Sequence, residues 1–214
     1  RYVQLPEQLG EPYLIIIPGS KNTLGDMLFL NEQSLTEEIH RCHQAGSLIL
    51  GICGGFQMLG TIIKDPENME SSNQEVQGLG LFNFETTLVA KKITRQIQLE
   101  TIDSPIFPAG IHCEGYEIHM GRTTYMANYQ NLFSSSNDEN ASNFGIINKK
   151  GTVLGTYLHG FMDKDLFRHN ILKHIRTIKN ISTPDNDFDY TQFRNNELNK
   201  LADLIKTSID MKEI

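Results

Sequence analysis

The stretch Gly51-Ile52-Cys53-Gly54-Gly55-Phe56-Gln57-Met58-Leu59-Gly60 follows directly on the apolar run Leu48-Ile49-Leu50. A short run without polar residues, bounded by glycine, reads as a strand buried on both faces of a parallel sheet. The cysteine then falls where such a strand turns into a helix. Strand-turn-helix elbows of the Gly-x-nucleophile-x-Gly kind lift the reactive atom above the sheet edge, and small flanking residues let the backbone turn tightly. The N–H groups and dipole of the following helix are expected to lower the thiol pKa and to hold an oxyanion. On its own, the stretch fits a buried structural cysteine equally well.

The surrounding pattern places this turn in an α/β frame. Residues 14–17 form a second apolar, β-branched run that ends in Pro18-Gly19, and so read as another strand buried on both faces. Residues 21–30 read as a loop leading into a short helix. Ser34-Leu35-Thr36-Glu37 has the form of a capping box, opening a helix with Leu35, Ile39 and Cys42 on one face and Gly46 as its stop. A helix is expected over residues 55–63 and a loop over 64–77. Strands are expected over 78–88, 93–101, 111–120, 144–147 and 153–157. Residues 134–140 read as a solvated loop, 166–178 as a helix and 180–189 as polar and turn-rich. The final amphipathic helix spans 191–210, with Leu198, Leu201, Leu204 and Ile205 on one face. The expected division is a domain over 1–178 and, over 179–214, a polar linker with a C-terminal helix packing on that domain.

Composition narrows the function. The 214 residues carry a formal net charge of −7, which gives no footprint for nucleic acid or an anionic membrane. No apolar segment reaches membrane-spanning length. Three cysteines, Cys42, Cys53 and Cys113, are too few for a disulfide scaffold and point to a reducing cytoplasm. Cys42-His43 and His112-Cys113 offer no tetrad spacing, so no metal is expected. The chain begins Arg1-Tyr2-Val3 without an initiator methionine, as a fragment or processed chain would.

A nucleophilic cysteine needs a base. Among seven histidines, His159 differs from the rest because it follows the run Val153-Leu154-Gly155-Thr156-Tyr157-Leu158 and precedes Gly160. Open parallel sheets place ligand-facing groups just past the carboxyl ends of their strands. Pro18-Gly19-Ser20 lies at the end of the first strand in the same way. The N–H groups of Gly19 and Gly54 could together stabilise a tetrahedral oxyanion. Nucleophile, base and oxyanion donors at strand ends of one sheet are the constellation of acyl transfer through a thioester.

Four strings occur in order: Pro18-Gly19-Ser20-Lys21-Asn22-Thr23, the Cys53 elbow, Gly115-Tyr116-Glu117-Ile118-His119-Met120-Gly121, and Gly155-Thr156-Tyr157-Leu158-His159-Gly160. Over residues 14–163 the chain resembles the class I glutamine amidotransferase domains of cobyric acid synthases. The resemblance implies an α/β, flavodoxin-like fold with a mostly parallel central sheet flanked by helices. It implies that Cys53 attacks the carboxamide of glutamine and that His159 serves as base and acid. Gly19 and Gly54 would be the oxyanion donors, and Gln57, Glu117 and His119 would bind glutamine.

Two departures from the family pattern stand out. Many class I members have a Glu two residues after the catalytic His; here that position is Phe161, so a Cys-His dyad is expected, with Asp163 a possible stand-in. Cobyric acid synthases also carry an N-terminal ATP-dependent synthetase half, and no Gly-x-x-x-x-Gly-Lys-Ser/Thr loop occurs here. The resemblance therefore implies no cofactor for this domain, with ATP and magnesium confined to the absent half. That half would be the partner, passing ammonia to adenosylcobyrinic acid a,c-diamide. Residues 64–77 and 134–143 are the expected synthetase-facing loops, on composition. A related reading is a subunit working with a Mur-ligase-like partner on a lipid-linked cell-wall precursor, echoed in Gly121-Arg122-Thr123. A reading from another class is a non-catalytic regulatory module.

Overall fold

The protein's computed structural model describes residues 1–135, 144–182 and 188–209. The elements, in chain order, are α1 (Pro6–Leu9), β1 (Leu14–Ile17), α2 (Thr23–Glu32), α3 (Leu35–Gln44), β2 (Leu48–Ile52), α4 (Gly54–Met58), β3 (Ile62–Lys64), β4 (Glu75–Gln77), β5 (Phe84–Thr87), β6 (Ile93–Thr101), β7 (His112–His119), β8 (Arg122–Tyr125), β9 (Gln130–Asn131), β10 (Phe133–Ser134), β11 (Gly145–Ile147), β12 (Val153–Thr156), β13 (Leu158–His159), a 3-10 turn (Phe161–Asp163), α5 (Asp165–Ile178) and α6 (Tyr190–Ser208).

The central sheet has the order β1-β2-β12-β11-β9. Strands β1, β2 and β12 run parallel, with Leu14 opposite Leu48 and Val153 opposite Ile49, while β11 and β9 are antiparallel to their neighbours. Helices cover both faces. Ile49 packs in one cluster with Met27, Ile39 and Phe56 from α2, α3 and α4. Its neighbours Leu48 and Leu50 pack in another with Phe167, Ile171 and Ile175 from α5. This three-layer arrangement explains why β2 is apolar without alternation. Two four-stranded sheets, β10-β6-β7-β13 and β4-β3-β5-β8, flank it.

Several local expectations need correction. Strand β1 lies at the sheet edge, and Ile16 is 47% exposed, so it is covered on one face rather than two. No capping box forms at Ser34. Its backbone is left-handed (φ 54°, ψ 23°), its N–H bonds the Asn31 carbonyl, and its side chain caps nothing. Only Gln33 and Ser34 separate α2 from α3, and the tight turn denies Ser34 the extended backbone that a capping serine needs. The helix expected over 55–63 stops at Met58. Gly60 packs against the Phe84 ring, and Ile62 and Ile63 pair with β4 and β5. The strand expected over 78–88 is confined to β5, because residues 78–80 turn back onto Met58 and Gly60.

The C-terminal helix α6 docks by its first turn: the Tyr190 N–H bonds the Asp165 carboxylate, and Arg168 bonds the Phe188 carbonyl. The expected packing of its apolar face is not seen, for Leu198, Leu201, Leu204 and Ile205 are all exposed. Parts of the expected segments 134–143 and 180–189, and residue 210, lie outside the described residues. Among the described residues no helix is long and apolar enough to cross a membrane.

Candidate active site

The chain turns at Cys53 with φ 53° and ψ −111°, a backbone region that L-residues rarely occupy. Such a conformation persists only where its surroundings enforce it. Here the Cys53 N–H bonds the Thr156 carbonyl at 2.8 Å, and the Gln57 N–H bonds the Cys53 carbonyl at 3.0 Å. Helix α4 lies against the strands because Gly55 meets the Ile17 carbonyl and Gly155 meets the Phe56 ring with no room for a side chain. The thiol is buried but not inert. Its Sγ lies 3.1 Å from the Ile118 carbonyl oxygen, to which it donates.

The expectation of a lowered thiol pKa is not met. Burial raises it most; the nearby Gly54 N–H lowers it, the charge of Glu70 raises it and that of Lys92 lowers it, leaving the thiol above its ordinary value. The reason is visible in the fold. Helix α4 is little more than one turn, so it has almost no dipole to oppose desolvation.

His159 ends β13, which pairs with β7 so that His159 faces Tyr116. Its Nε2 lies 3.2 Å from the same Ile118 carbonyl oxygen that the Cys53 thiol reaches. Gly19 completes the ring. A Cβ placed there would sit 3.6 Å from Cys53 Cβ and 3.7 Å from His159 Cε1, so its backbone borders both groups. Gly54 packs equally closely on the Ser20 N–H, 2.9 Å from its own Cβ position. The structure thus brings Cys53, His159, Gly19 and Gly54 together. Phe161 is buried beside Phe167, and the Asp163 side chain makes no hydrogen bond to His159 among the described residues. The acceptor on the imidazole is the Ile118 backbone carbonyl instead.

Gln57, Glu117 and His119 form the wall behind this group. Gln57 is 2% exposed; its Nε2 donates to the Met120 carbonyl at 2.9 Å, and its Oε1 accepts from the Thr23 hydroxyl at 3.4 Å. Glu117 Oε1 accepts from His119 Nε2 at 2.9 Å, and its Oε2 accepts from Arg95 Nε at 2.5 Å. The His119 ring stacks on Tyr157 with centroids 3.9 Å apart. Burial works to raise the Glu117 carboxyl, but the His119 and Arg95 hydrogen bonds and charges outweigh it, so it stays below its ordinary value. Apart from His119 Nδ1, which is buried with no partner among the described residues, these polar groups are spent on protein partners. Gln57 ties the backbone at Met120 to α4, and Glu117 links His119 to Arg95 on β6, so the three flank Ile118 with their polar groups turned to protein partners.

Three participants escaped the sequence reading. The Ile118 carbonyl is a backbone atom and leaves no trace in a side-chain pattern. Thr23 lies inside the Pro18–Thr23 string, but its contact with Gly54 depends on α2 folding back over the elbow. Glu70 sits in a polar stretch that reads only as loop.

Comparison with known proteins bears on the family and the fold. Residues 1–167 match the family described as the CobB/CobQ-like glutamine amidotransferase domain. The chain is 41% identical over 218 residues to the cobyric acid synthase of Clostridium tetani, and 39% identical over 223 residues to that of Thermoanaerobacter sp.. Both alignments cover 100% of this chain but only 42% and 44% of the relatives, so the chain spans less than half their length. Among solved structures, PurLQS from Thermotoga maritima superposes with a TM-score of 0.60 at 22% identity, covering 84% of this chain and 85% of that one. A structure described as a glutamine amidotransferase superposes at 0.55 and 14% identity, with the same coverage. At those identities the likeness bears on the fold alone, and it is the flavodoxin-like fold of class I amidotransferases. The match over most of its length shows that this chain belongs to the CobB/CobQ-like glutamine amidotransferase family.

Proposed function

We propose that this chain is the glutaminase part of a corrinoid-amidating enzyme, a cobyric acid synthase, working in the cytoplasm. Its task is to release ammonia from glutamine for an ATP-dependent synthetase portion that lies outside this sequence. The observation that carries the reading is the convergence of Cys53 Sγ and His159 Nε2 on the Ile118 carbonyl, with Gly19 bordering both. The similarity of the whole chain to cobyric acid synthases supports the biological setting over a Mur-ligase-like partnership.

In this reading His159 takes the thiol proton and the sulfur attacks the carboxamide carbon of glutamine. The carbonyl oxygen becomes an oxyanion facing the Gly19 and Gly54 N–H groups. The tetrahedral adduct collapses as His159 returns the proton to the departing nitrogen, which leaves as ammonia. Water, deprotonated by His159, then attacks the glutamyl thioester, releasing glutamate and restoring the thiol. The Ile118 carbonyl accepts from a protonated Nε2 and so steadies the imidazolium, the part that a carboxylate two residues after the histidine plays in many relatives. Gln57, Glu117 and His119 hold the wall. Enclosure matters because ammonia that escapes into water is protonated and is no longer a nucleophile. In the full enzyme the acceptors are activated carboxylates of adenosylcobyrinic acid a,c-diamide, as the family resemblance implies.

The test is glutamate release from glutamine, together with mass-spectrometric mapping of an electrophilic glutamine analogue, with and without added synthetase portion. Turnover and a single label on Cys53, both lost in Cys53→Ala, are expected. Neither turnover nor label, even with the synthetase portion present, overturns the assignment.

A further inference from the structure

The loop between β3 and β4 is built to aim Glu70 at the elbow. Asp65, which has no exposed surface, accepts the backbone N–H groups of Met69 and Glu70 at 2.8 Å and of Ser71 at 3.2 Å. A buried carboxylate thus fixes the chain around Glu70. Glu70 Oε2 in turn accepts the Thr23 N–H at 2.5 Å, and the Leu24 N–H faces the same carboxylate. Thr23 touches the Cys53 turn: its hydroxyl lies 3.2 Å from the Cβ position of Gly54. Glu70 is therefore one residue away from the elbow, near enough for its charge to act on the thiol.

Every hydrogen-bond partner of Glu70 is neutral, and it forms no ion pair among the described residues. Other carboxylates nearby are committed. Glu117 holds Arg95 and His119, Asp65 holds its own loop, and Asp26 accepts from Ser20. The two backbone N–H groups of Thr23 and Leu24 leave about two of the roughly four lone-pair sites of the carboxylate open. An anion beside a cysteine that has to ionise opposes the thiolate. The arrangement becomes favourable when a cation arrives with the substrate, and an amino acid carries one in its α-ammonium group.

We propose that Glu70 receives the α-ammonium group of the amino-acid substrate. The proposal rests on the glutaminase reading above and names the contact by which the site separates glutamine from a plain amide. Once bound, the ammonium offsets the charge of Glu70 at the stage when the thiol gives up its proton. Substrate binding and thiolate formation then favour each other, as any two linked equilibria of this sign must.

The test is alkylation of Cys53 by iodoacetamide in the intact chain, with protection by glutamine compared with protection by glutaramate, which keeps the amide and carboxylate but lacks the amino group. The wild-type chain is expected to need about 10- to 100-fold less glutamine than glutaramate for half-protection, the value of one charge-assisted hydrogen bond. In Glu70→Gln the ratio should fall to about one. The midpoint of the ligand-free alkylation–pH profile should also move down, since a negative neighbour has gone. A Glu70→Gln chain that keeps the full preference overturns the proposal. So does one in which both ligands weaken equally, the mark of a residue that only secures α2. Should Glu70→Gln not fold, Glu70→Asp decides, and an undiminished preference there overturns it. Protection of the wild-type chain by neither ligand would instead remove the glutaminase reading, and this inference with it.

Discussion

Gly19→Ala separates the fold from the site with one methyl group. At this position the added carbon meets Cys53 Cβ at 3.6 Å, His159 Cε1 at 3.7 Å and the Ile52 carbonyl at 3.8 Å, all ordinary van der Waals contacts. The backbone there is not left-handed, so alanine brings no strain. Stability should therefore change by no more than about 0.5 kcal/mol. Function should change much more. The methyl enters the space between Cys53 and His159 that the proposed mechanism reserves for the carboxamide carbon, and a displacement of about 1 Å in such a site costs on the order of 100-fold in rate. Gly55→Ala is the control. Its added carbon would overlap the Ile17 carbonyl oxygen, a backbone atom of the central sheet with nowhere to move, and overpacking of that kind costs about 1–3 kcal/mol. Urea melts and glutamate release, both with the synthetase portion supplied, read the two effects separately. Full glutaminase activity in Gly19→Ala, or a loss of stability comparable with that of Gly55→Ala, would refute the reasoning.

The remaining predictions concern stability. Glu117→Ala leaves His119 and Arg95 without their shared carboxylate and should cost about 2–3 kcal/mol in denaturant melts. Because the Glu117 carboxyl is held below its ordinary value, its contribution is present above the unfolded-state pKa near 4.5 and disappears as pH falls through the lower folded value; Glu117→Gln should flatten the acid limb there. The Cys113 thiol is pushed up to about 12 from 9.0, chiefly by burial, so its contribution is complete below pH 9.0 and is lost as pH rises towards 12. Thermal melts of Cys113→Ala should fall less steeply across that alkaline window, and parallel curves would contradict the assignment. Ser34→Gly should stabilise the chain by up to about 1 kcal/mol by relieving a left-handed serine, whereas a true capping serine would lose stability on the same change.

How much the sequence disclosed follows from the kind of force each residue feels. Leu48–Leu50 was legible as a doubly buried strand because desolvation acts on the letter itself, and β6 appears over the expected residues 93–101. Cys53 and His159 stood out as candidates because reactive residues beside glycine at strand ends are uncommon in cores, and the structure sets both against the Ile118 carbonyl. Ser34 misled because a capping box is a local pattern, and the two-residue turn from α2 overrode it. Residues 59–63 misled because Ile62 and Ile63 continue an apolar run whose backbone bonds are made by strands distant in sequence. Strand β8 was missed because it alternates between half-buried and exposed residues, including Arg122, and so lacks a core signature. The bracing roles of Gln57, Glu117 and His119 emerge only once β7 is threaded between the elbow and β13.

The tight backbone at residue 53 sets folding and chemistry against each other. An L-amino acid held at that φ and ψ costs the native state about 1–3 kcal/mol, which a glycine would largely avoid. The side chain recovers part of that cost through burial and its hydrogen bond to the Ile118 carbonyl. A Cys53→Gly chain should therefore unfold at higher denaturant while losing the thiol, which places stability and the proposed chemistry on opposite sides of one residue.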